Sequence, residues 1–222
     1  MPIRVLVVDD HPVIHEALGT VFQTAPDIES CGYAGTAERA IDLIEEMKPD
    51  VAVVDIWLKD IHGLGLVSRI QEEYPGVKVV IFSMCRESAY AERAIRAGAL
   101  GYVVKTESTT TVLDAIRAAK EGRVYLSERI AARILSRVVR KTPRTGIDTL
   151  TDQEMIVFQM LGQSLTVDEI AERLGVSPKT VMAYRRRAKE KLGLQTIGSL
   201  VQHAYMWTQG WGVGRVKDQS LN

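Results

Sequence analysis

Residues 3–12 read Ile-Arg-Val-Leu-Val-Val-Asp-Asp-His-Pro. A run rich in branched aliphatic residues ends abruptly at two carboxylates. Apart from Arg4 it carries no polar break, so both of its faces want cover. That is the signature of a strand inside a parallel sheet. The pattern recurs along the chain. Residues 51–54, Val-Ala-Val-Val, stop at Asp55. Residues 77–82 stop at Ser83, and residues 101–104 stop at Lys105. Residues 30–34 add a second strand in chain order. Helical spacing of apolar residues predicts helices over 12–24, 64–73, 88–97 and 109–121, and another beginning at the N-cap Thr36 and running to Met47. Gly98 and Gly122 serve as helix stops. Five strand–helix units imply an α/β fold, a doubly wound five-stranded parallel sheet over residues 1–122. Chemistry in such sheets collects beyond the carboxyl ends of the strands.

Those ends carry Asp9 and Asp10, Asp55, Ser83 and Lys105. Taken singly they say little. Two aspartates after a strand are most often a turn or a helix cap, and a lone lysine there usually faces solvent. Their conjunction carries the reading. Three crowded carboxylates repel unless a lysine and a divalent cation relieve them. Magnesium takes one or two carboxylates with phosphate and water. The set suits phosphoryl transfer, which depends on positioning and charge neutralisation. Asp55 is the expected nucleophile, since a carboxylate can form an acyl phosphate.

In the motifs VLVVDDHP, VAVVDIWLKDIHG, VVIFS and RAGALGYVVK this half resembles the flavodoxin-like receiver domain of bacterial response regulators. The resemblance implies Asp55 as phosphoacceptor. It implies Asp9, Asp10, Asp55 and the backbone carbonyl of Trp57 as Mg2+ ligands. It assigns Lys105 to the phosphoryl oxygens, Ser83 to a hydrogen bond with them, and Tyr102 to a rotamer switch. The donor it implies is a sensor histidine kinase. Departures from the family pattern are Met84 where small residues are common, Leu58-Lys59 where Met-Pro is usual, and Thr106 after Lys105. Met84 implies narrower access to the phosphoryl group.

The formal net charge is zero, but its distribution is uneven. Residues 1–122 hold 12 Lys/Arg against 19 Asp/Glu, residues 123–147 hold 7 against 1, and residues 148–222 hold 9 against 8. Such asymmetry hints at nucleic-acid contact. Residues 123–147 read as a linker containing a helix at 128–140, and the Thr-Pro-Arg-Thr-Gly stretch at 142–146 breaks it. Residues 148–210 read as all-α, with helices at 152–161, 167–174, 178–192 and 197–207, and residues 211–222 as a tail.

Leu174-Gly175-Val176-Ser177-Pro178 is a helix end, a glycine turn, a cap and a proline at a first helical position. Helix, short turn and helix make a helix-turn-helix. On its second helix Val181, Tyr184, Ala188 and Leu192 fall on the expected inner side. Lys179, Thr180, Met182, Ala183, Arg186 and Arg187 point outward, towards base edges. Arg185, Lys189 and Lys191 are the expected phosphate contacts. Residues 177–192 contain six Lys/Arg and one Glu, against the bland alternative of a solvated basic face. The segment resembles the LuxR-type helix-turn-helix in Leu150-Thr151 with Glu154, in Glu169-Ile170-Ala171, in Ser177–Val181 and in Lys191-Leu192-Gly193. With the receiver half, the chain resembles the NarL/FixJ class of response regulators. Ser164, where Gly is usual, is a departure, as are Val167, Tyr184 and Ala188. Val167, Ala188 and Met84 also resemble the Rcs-type capsule regulators. The class implies a DNA-binding transcription factor, homodimeric when phosphorylated, that reads two-fold operator sites.

The two cysteines, Cys31 and Cys85, read as buried free thiols. Cys85 and Trp57 are expected to line the phosphorylation pocket. Lacking a leader or a membrane-length apolar run, the chain reads as cytoplasmic, with no membrane partner. His11 reads as a helix-start residue, and the glycines of the C-terminal Gly-Trp-Gly-Val-Gly follow no strand, which argues against a nucleotide loop. Two other functions compete. A phosphohydrolase of the haloacid-dehalogenase type needs an acid two residues after its nucleophile, where this chain has Trp57. A DNA-binding regulator governed by partner proteins is argued against by the intact acidic set and favoured by Met84. The chain is otherwise read as no enzyme beyond its own phosphorylation and dephosphorylation.

Overall fold

The computed structural model describes residues 1–58, 62–84, 88–140 and 146–208. The chain divides into two compact units, Met1–Thr142 and Pro143–Asn222.

The first unit alternates strand and helix: β1 Ile3–Val8, α1 Pro12–Gln23, β2 Ile28–Ala34, α2 Ala37–Met47, β3 Val51–Val54, α3 Gly63–Glu73, β4 Lys78–Ser83, α4 Ser88–Arg96, β5 Gly101–Val104, α5 Thr109–Lys120, β6 Tyr125–Leu126 and α6 Glu128–Arg140. All strands pair in parallel, in the order β2-β1-β3-β4-β5-β6. The sheet therefore has six strands rather than the expected five. The sixth lies in the stretch read as linker, where Tyr125 and Leu126 pair with Gly101 and Tyr102. Two residues carry no periodicity of their own, so only their pairing with β5 defines them. β2 also starts two residues earlier than its apolar run suggests. It is an edge strand, and Cys31 on it is half-buried rather than buried.

Strand residues divide between the two faces by their period of two. Val5, Val7, Val51, Val53, Val80 and Val103 pack with Leu18 and Phe22 of α1 and with Val112, Leu113, Ile116 and Ala119 of α5. On the other side α3 packs against both α2 and α4. Each fully buried Val, Leu or Ile contributes about 1.5–3 kcal/mol. Strand order reverses direction between β1 and β3, and this places a crevice at their carboxyl ends.

The second unit begins with a 3₁₀ turn at Gly146–Thr149 and holds α7 Asp152–Gly162, α8 Val167–Leu174, α9 Pro178–Lys191 and α10 Ile197–Thr208. Thr151 with Glu154, and Thr166 with Glu169, form reciprocal capping boxes at the starts of α7 and α8. α8 ends at Gly175, which takes the left-handed backbone of a helix stop (φ 61°). Ser177 accepts from Thr180 N to cap α9. α7 and α10 cross closely at Gly162, where a Cβ would stand 2.5 Å from the Ala204 carbonyl oxygen. Phe158 meets Trp207 and His203 nearby in edge-to-face contacts. Val181 and Ala188 of α9 are buried as expected, while Tyr184 and Leu192 are only half-buried. The tail at 211–222, and Cys85 and Lys59 in the first unit, lie outside the described residues.

Candidate functional site

Sheet register builds the site. Val8 of β1 pairs with Val54 of β3, so the residues that follow, Asp9 and Asp55, leave neighbouring strands side by side. The Asp55 amide donates to the Val8 carbonyl at 2.8 Å. Ser83 ends β4 opposite Val104, and the Lys105 amide donates to the Ser83 carbonyl at 2.8 Å. Asp9, Asp55 and Ser83 are 2%, 4% and 0% exposed.

Lys105 reaches across this row. Its ammonium donates to Asp55 Oδ2 at 2.8 Å and to Asp9 Oδ2 at 2.5 Å. Burial pushes the Asp55 carboxyl up from the ordinary range, and Lys105 opposes that push. The other Asp55 oxygen, Oδ1, is buried with no hydrogen-bond partner among the described residues. An anionic oxygen in that state calls for a cation or a donor. Ligand atoms of Asp9, Asp10, His11 and Asp55 lie within 4.8 Å of one another. Carboxylate oxygens in this number are the donors a hard divalent ion takes, so the residues fit Mg2+.

His11 is the N-cap residue of α1, as read, but makes no side-chain cap bond. Its Nδ1 instead lies 2.8 Å from Asp10 Oδ1 and 3.2 Å from Asp9 Oδ1. Tyr102 is 1% exposed on β5, three residues before Lys105. Met84 is 62% exposed.

One residue beside the site went unread in the sequence. His62 precedes Gly63, and its buried Nδ1 accepts from Leu64 N to cap α3. Trp57 and His62 form an isolated antiparallel bridge, with their rings edge-on at 4.7 Å. Tyr90 of α4 stacks on His62 and meets Trp57 edge-on. Burial, with Arg93 nearby, lowers the His62 pKa to about 3, so the ring is neutral. The available signal was a histidine directly before a glycine that could admit no side chain. A Cβ on Gly63 would stand 2.2 Å from the Asp55 carbonyl oxygen.

In the second unit α9 presents its basic residues unequally. Lys179, Met182, Arg186 and Arg187 are exposed, while Ala183, Arg185 and Lys189 are half-buried. Thr180 is half-buried, with its hydroxyl 2.8 Å from that of Ser177. Arg187 lies over the Tyr184 ring, 5.1 Å from its centroid. Lys191 donates to Glu154 Oε2 at 2.7 Å, a partner 37 residues away. Burial of Glu154 is outweighed by Lys191 and by the Thr151 amide, and its pKa falls below the usual range.

Residues 5–117 match the response regulator receiver domain family, and residues 148–204 match the LuxR family of bacterial regulatory proteins. The transcriptional regulatory protein MctR of Rhizobium johnstonii is 30% identical over 202 residues, spanning 91% of this chain and 92% of its own. The response regulator GacA of Pseudomonas aeruginosa is 31% identical over 193 residues, 86% of this chain and 90% of its own. Among solved structures, RcsB of Salmonella enterica serovar Typhimurium, bound to a promoter in the presence of a phosphomimetic, superposes with a TM-score of 0.73. That match has 20% identity and covers 92% of this chain and 98% of the other, and it supports the fold.

Proposed function

The chain belongs to the LuxR-type response regulators, and from that premise we propose that phosphorylation of Asp55 controls its binding to DNA. It joins a receiver domain to a LuxR-type DNA-binding domain, and its relatives are transcription regulators rather than enzymes. The observation that carries the proposal is the Lys105 ammonium spanning Asp9 and Asp55 while Asp55 Oδ1 stays bare.

In this reading Asp55 Oδ1 attacks the phosphorus of a phosphohistidine on a sensor kinase. The P–N bond breaks as the P–O bond forms. Asp9, Asp10, Asp55 and the Trp57 carbonyl would hold Mg2+, which neutralises charge on the transferring phosphoryl group. Lys105 then turns from the carboxylates to the phosphoryl oxygens. Ser83 donates its hydroxyl to the same group, and Tyr102 follows on the adjacent strand. Phosphorylation shifts the population between two existing states and favours a homodimer. The receiver is taken to cover residues 1–122, the linker 123–147 and the DNA-binding domain 148–210. The protein acts in the cytoplasm, and its own phosphorylation chemistry is the only catalysis assigned to it.

On DNA, α9 enters the major groove. Lys179, Thr180, Met182, Ala183, Arg186 and Arg187 face the base edges, and Arg185 and Lys189 serve the backbone. Lys191 acts chiefly as the latch to Glu154. A phosphohydrolase finds no support, because the ring of Trp57 packs against His62 and Tyr90 where that chemistry needs an acid.

The test is fragment selection and titration with the whole protein, with and without acetyl phosphate and Mg2+. Tighter binding to a two-fold site, lost in Asp55→Ala, is expected. Phosphate labelling of Asp55→Ala at the wild-type level would overturn the assignment.

A further inference from the structure

Among the described residues of α9, Met182 is the only large apolar side chain that is exposed, at 48%. Its apolar partners in sequence, Val181 and Ala188, are buried in the unit. Lys179 stands three residues before it and Arg186 four after, both exposed. Residues at those spacings share one face of a helix. The stripe therefore reads cation, thioether, cation.

Two other cations of α9 are engaged within the protein, and Arg186 of the stripe makes only a long, exposed contact with Glu190, at 3.9 Å. Arg187 covers the Tyr184 ring, and Lys191 is bound to Glu154. Lys179 and Met182 lie in the first half of the helix, near the Ser177 cap, and so on the part that a helix-turn-helix offers to base edges, with Arg186 one turn further on. Its flanking charges suit a polyanion, and its centre needs an apolar partner. In the major groove that partner is the C5-methyl group of thymine, which neither cytosine nor a purine presents. A methionine suits the contact, being unbranched, polarizable and adaptable in reach.

We propose that Met182 reads the methyl group of one thymine in each half-site of the operator. The inference rests on α9 entering the major groove and names what it recognises there. Lys179 and Arg186 hold the phosphates or base acceptors on either side. Specificity at this position is a contact with a methyl group, so it is insensitive to the thymine hydrogen-bonding edge.

Deoxyuridine supplies the test, because it keeps that edge and lacks the methyl. A duplex is first selected with the whole protein, acetyl phosphate and Mg2+. Each thymine is then replaced singly by deoxyuridine. Wild-type binding is expected to weaken about four-fold at one thymine per half-site, the ratio set by burying a single methyl-sized group. Met182→Ala is expected to bind the thymine and deoxyuridine duplexes equally at that position, and Met182→Leu to keep part of the preference. Wild-type indifference to every replacement overturns the inference. So does a Met182→Ala variant that keeps the wild-type sensitivity at each position. In both cases the selected duplex still upholds DNA binding by the protein. Failure to select any duplex overturns that reading and this inference together.

Discussion

Lys191, at the end of α9, donates to Glu154, in the first turn of α7, across 2.7 Å. Glu154 is 2% exposed and already accepts the Thr151 amide at 2.8 Å, so one carboxylate caps a helix and holds another in place. Glu154→Ala removes both bonds and leaves Lys191 unpaired. A loss of about 2 kcal/mol is expected in the stability of the DNA-binding unit, read by urea denaturation. Lys191→Ala should cost less, about 1 kcal/mol, because that side chain is 36% exposed. A Glu154→Ala variant as stable as the wild type would show that the latch bears no strain.

His62 sets an acid limit on the first unit. Its folded pKa, about 3, lies below the ordinary histidine value of 6.5. The unfolded chain therefore binds a proton that the folded chain refuses. That stability is fully present above pH 6.5 and is lost as pH falls towards 3, at a limiting slope of about 1.4 kcal/mol per pH unit. His62→Gln should flatten the stability curve in this window. An unchanged slope between pH 6 and pH 4 would sink the argument.

Gly63 is a steric requirement of the backbone at Asp55. Gly63→Ala would press a methyl into the Asp55 carbonyl, at 2.2 Å in the present backbone. Relief requires the loop to shift, at a cost of about 1–3 kcal/mol. We expect a lower melting temperature and phosphorylation by acetyl phosphate slowed at least ten-fold. Wild-type labelling kinetics would mean that the loop yields without disturbing Asp55.

Ser164 adopts a left-handed backbone, φ 65°, between α7 and α8. Only glycine takes that region without penalty. Ser164→Gly should therefore stabilise the DNA-binding unit by up to about 1 kcal/mol, less the extra freedom glycine gives the unfolded chain. Destabilisation measured by urea titration would contradict this.

What could be read from the sequence follows from the range of the interactions. Apolar runs ending at Asp9, Asp55, Ser83 and Lys105 mark strand ends, and parallel register alone then sets those residues in a row. The pairing of Thr151 with Glu154 is equally local, spanning three residues. The features that escaped depend on partners far along the chain. The bond from Lys191 to Glu154 went unread because Glu154 is distant in sequence. Tyr184 looked internal by spacing, yet it is half-buried and carries Arg187 on its ring. His62 is marked in the sequence only by the glycine after it, and its burial depends on Trp57 and on Tyr90 of α4.

The short strand β6 has a practical consequence for anyone dissecting the molecule. Trimming the chain after Gly122, where the helix stop invites a cut, would remove Tyr125 and Leu126 and strip β5 of its outer neighbour. A bare row of amides and carbonyls would then face solvent along Gly101 and Tyr102, and such a margin recruits other chains. A fragment ending there offers its cut edge for pairing, and a dimer seen in it reports the scissors as readily as any response to phosphate.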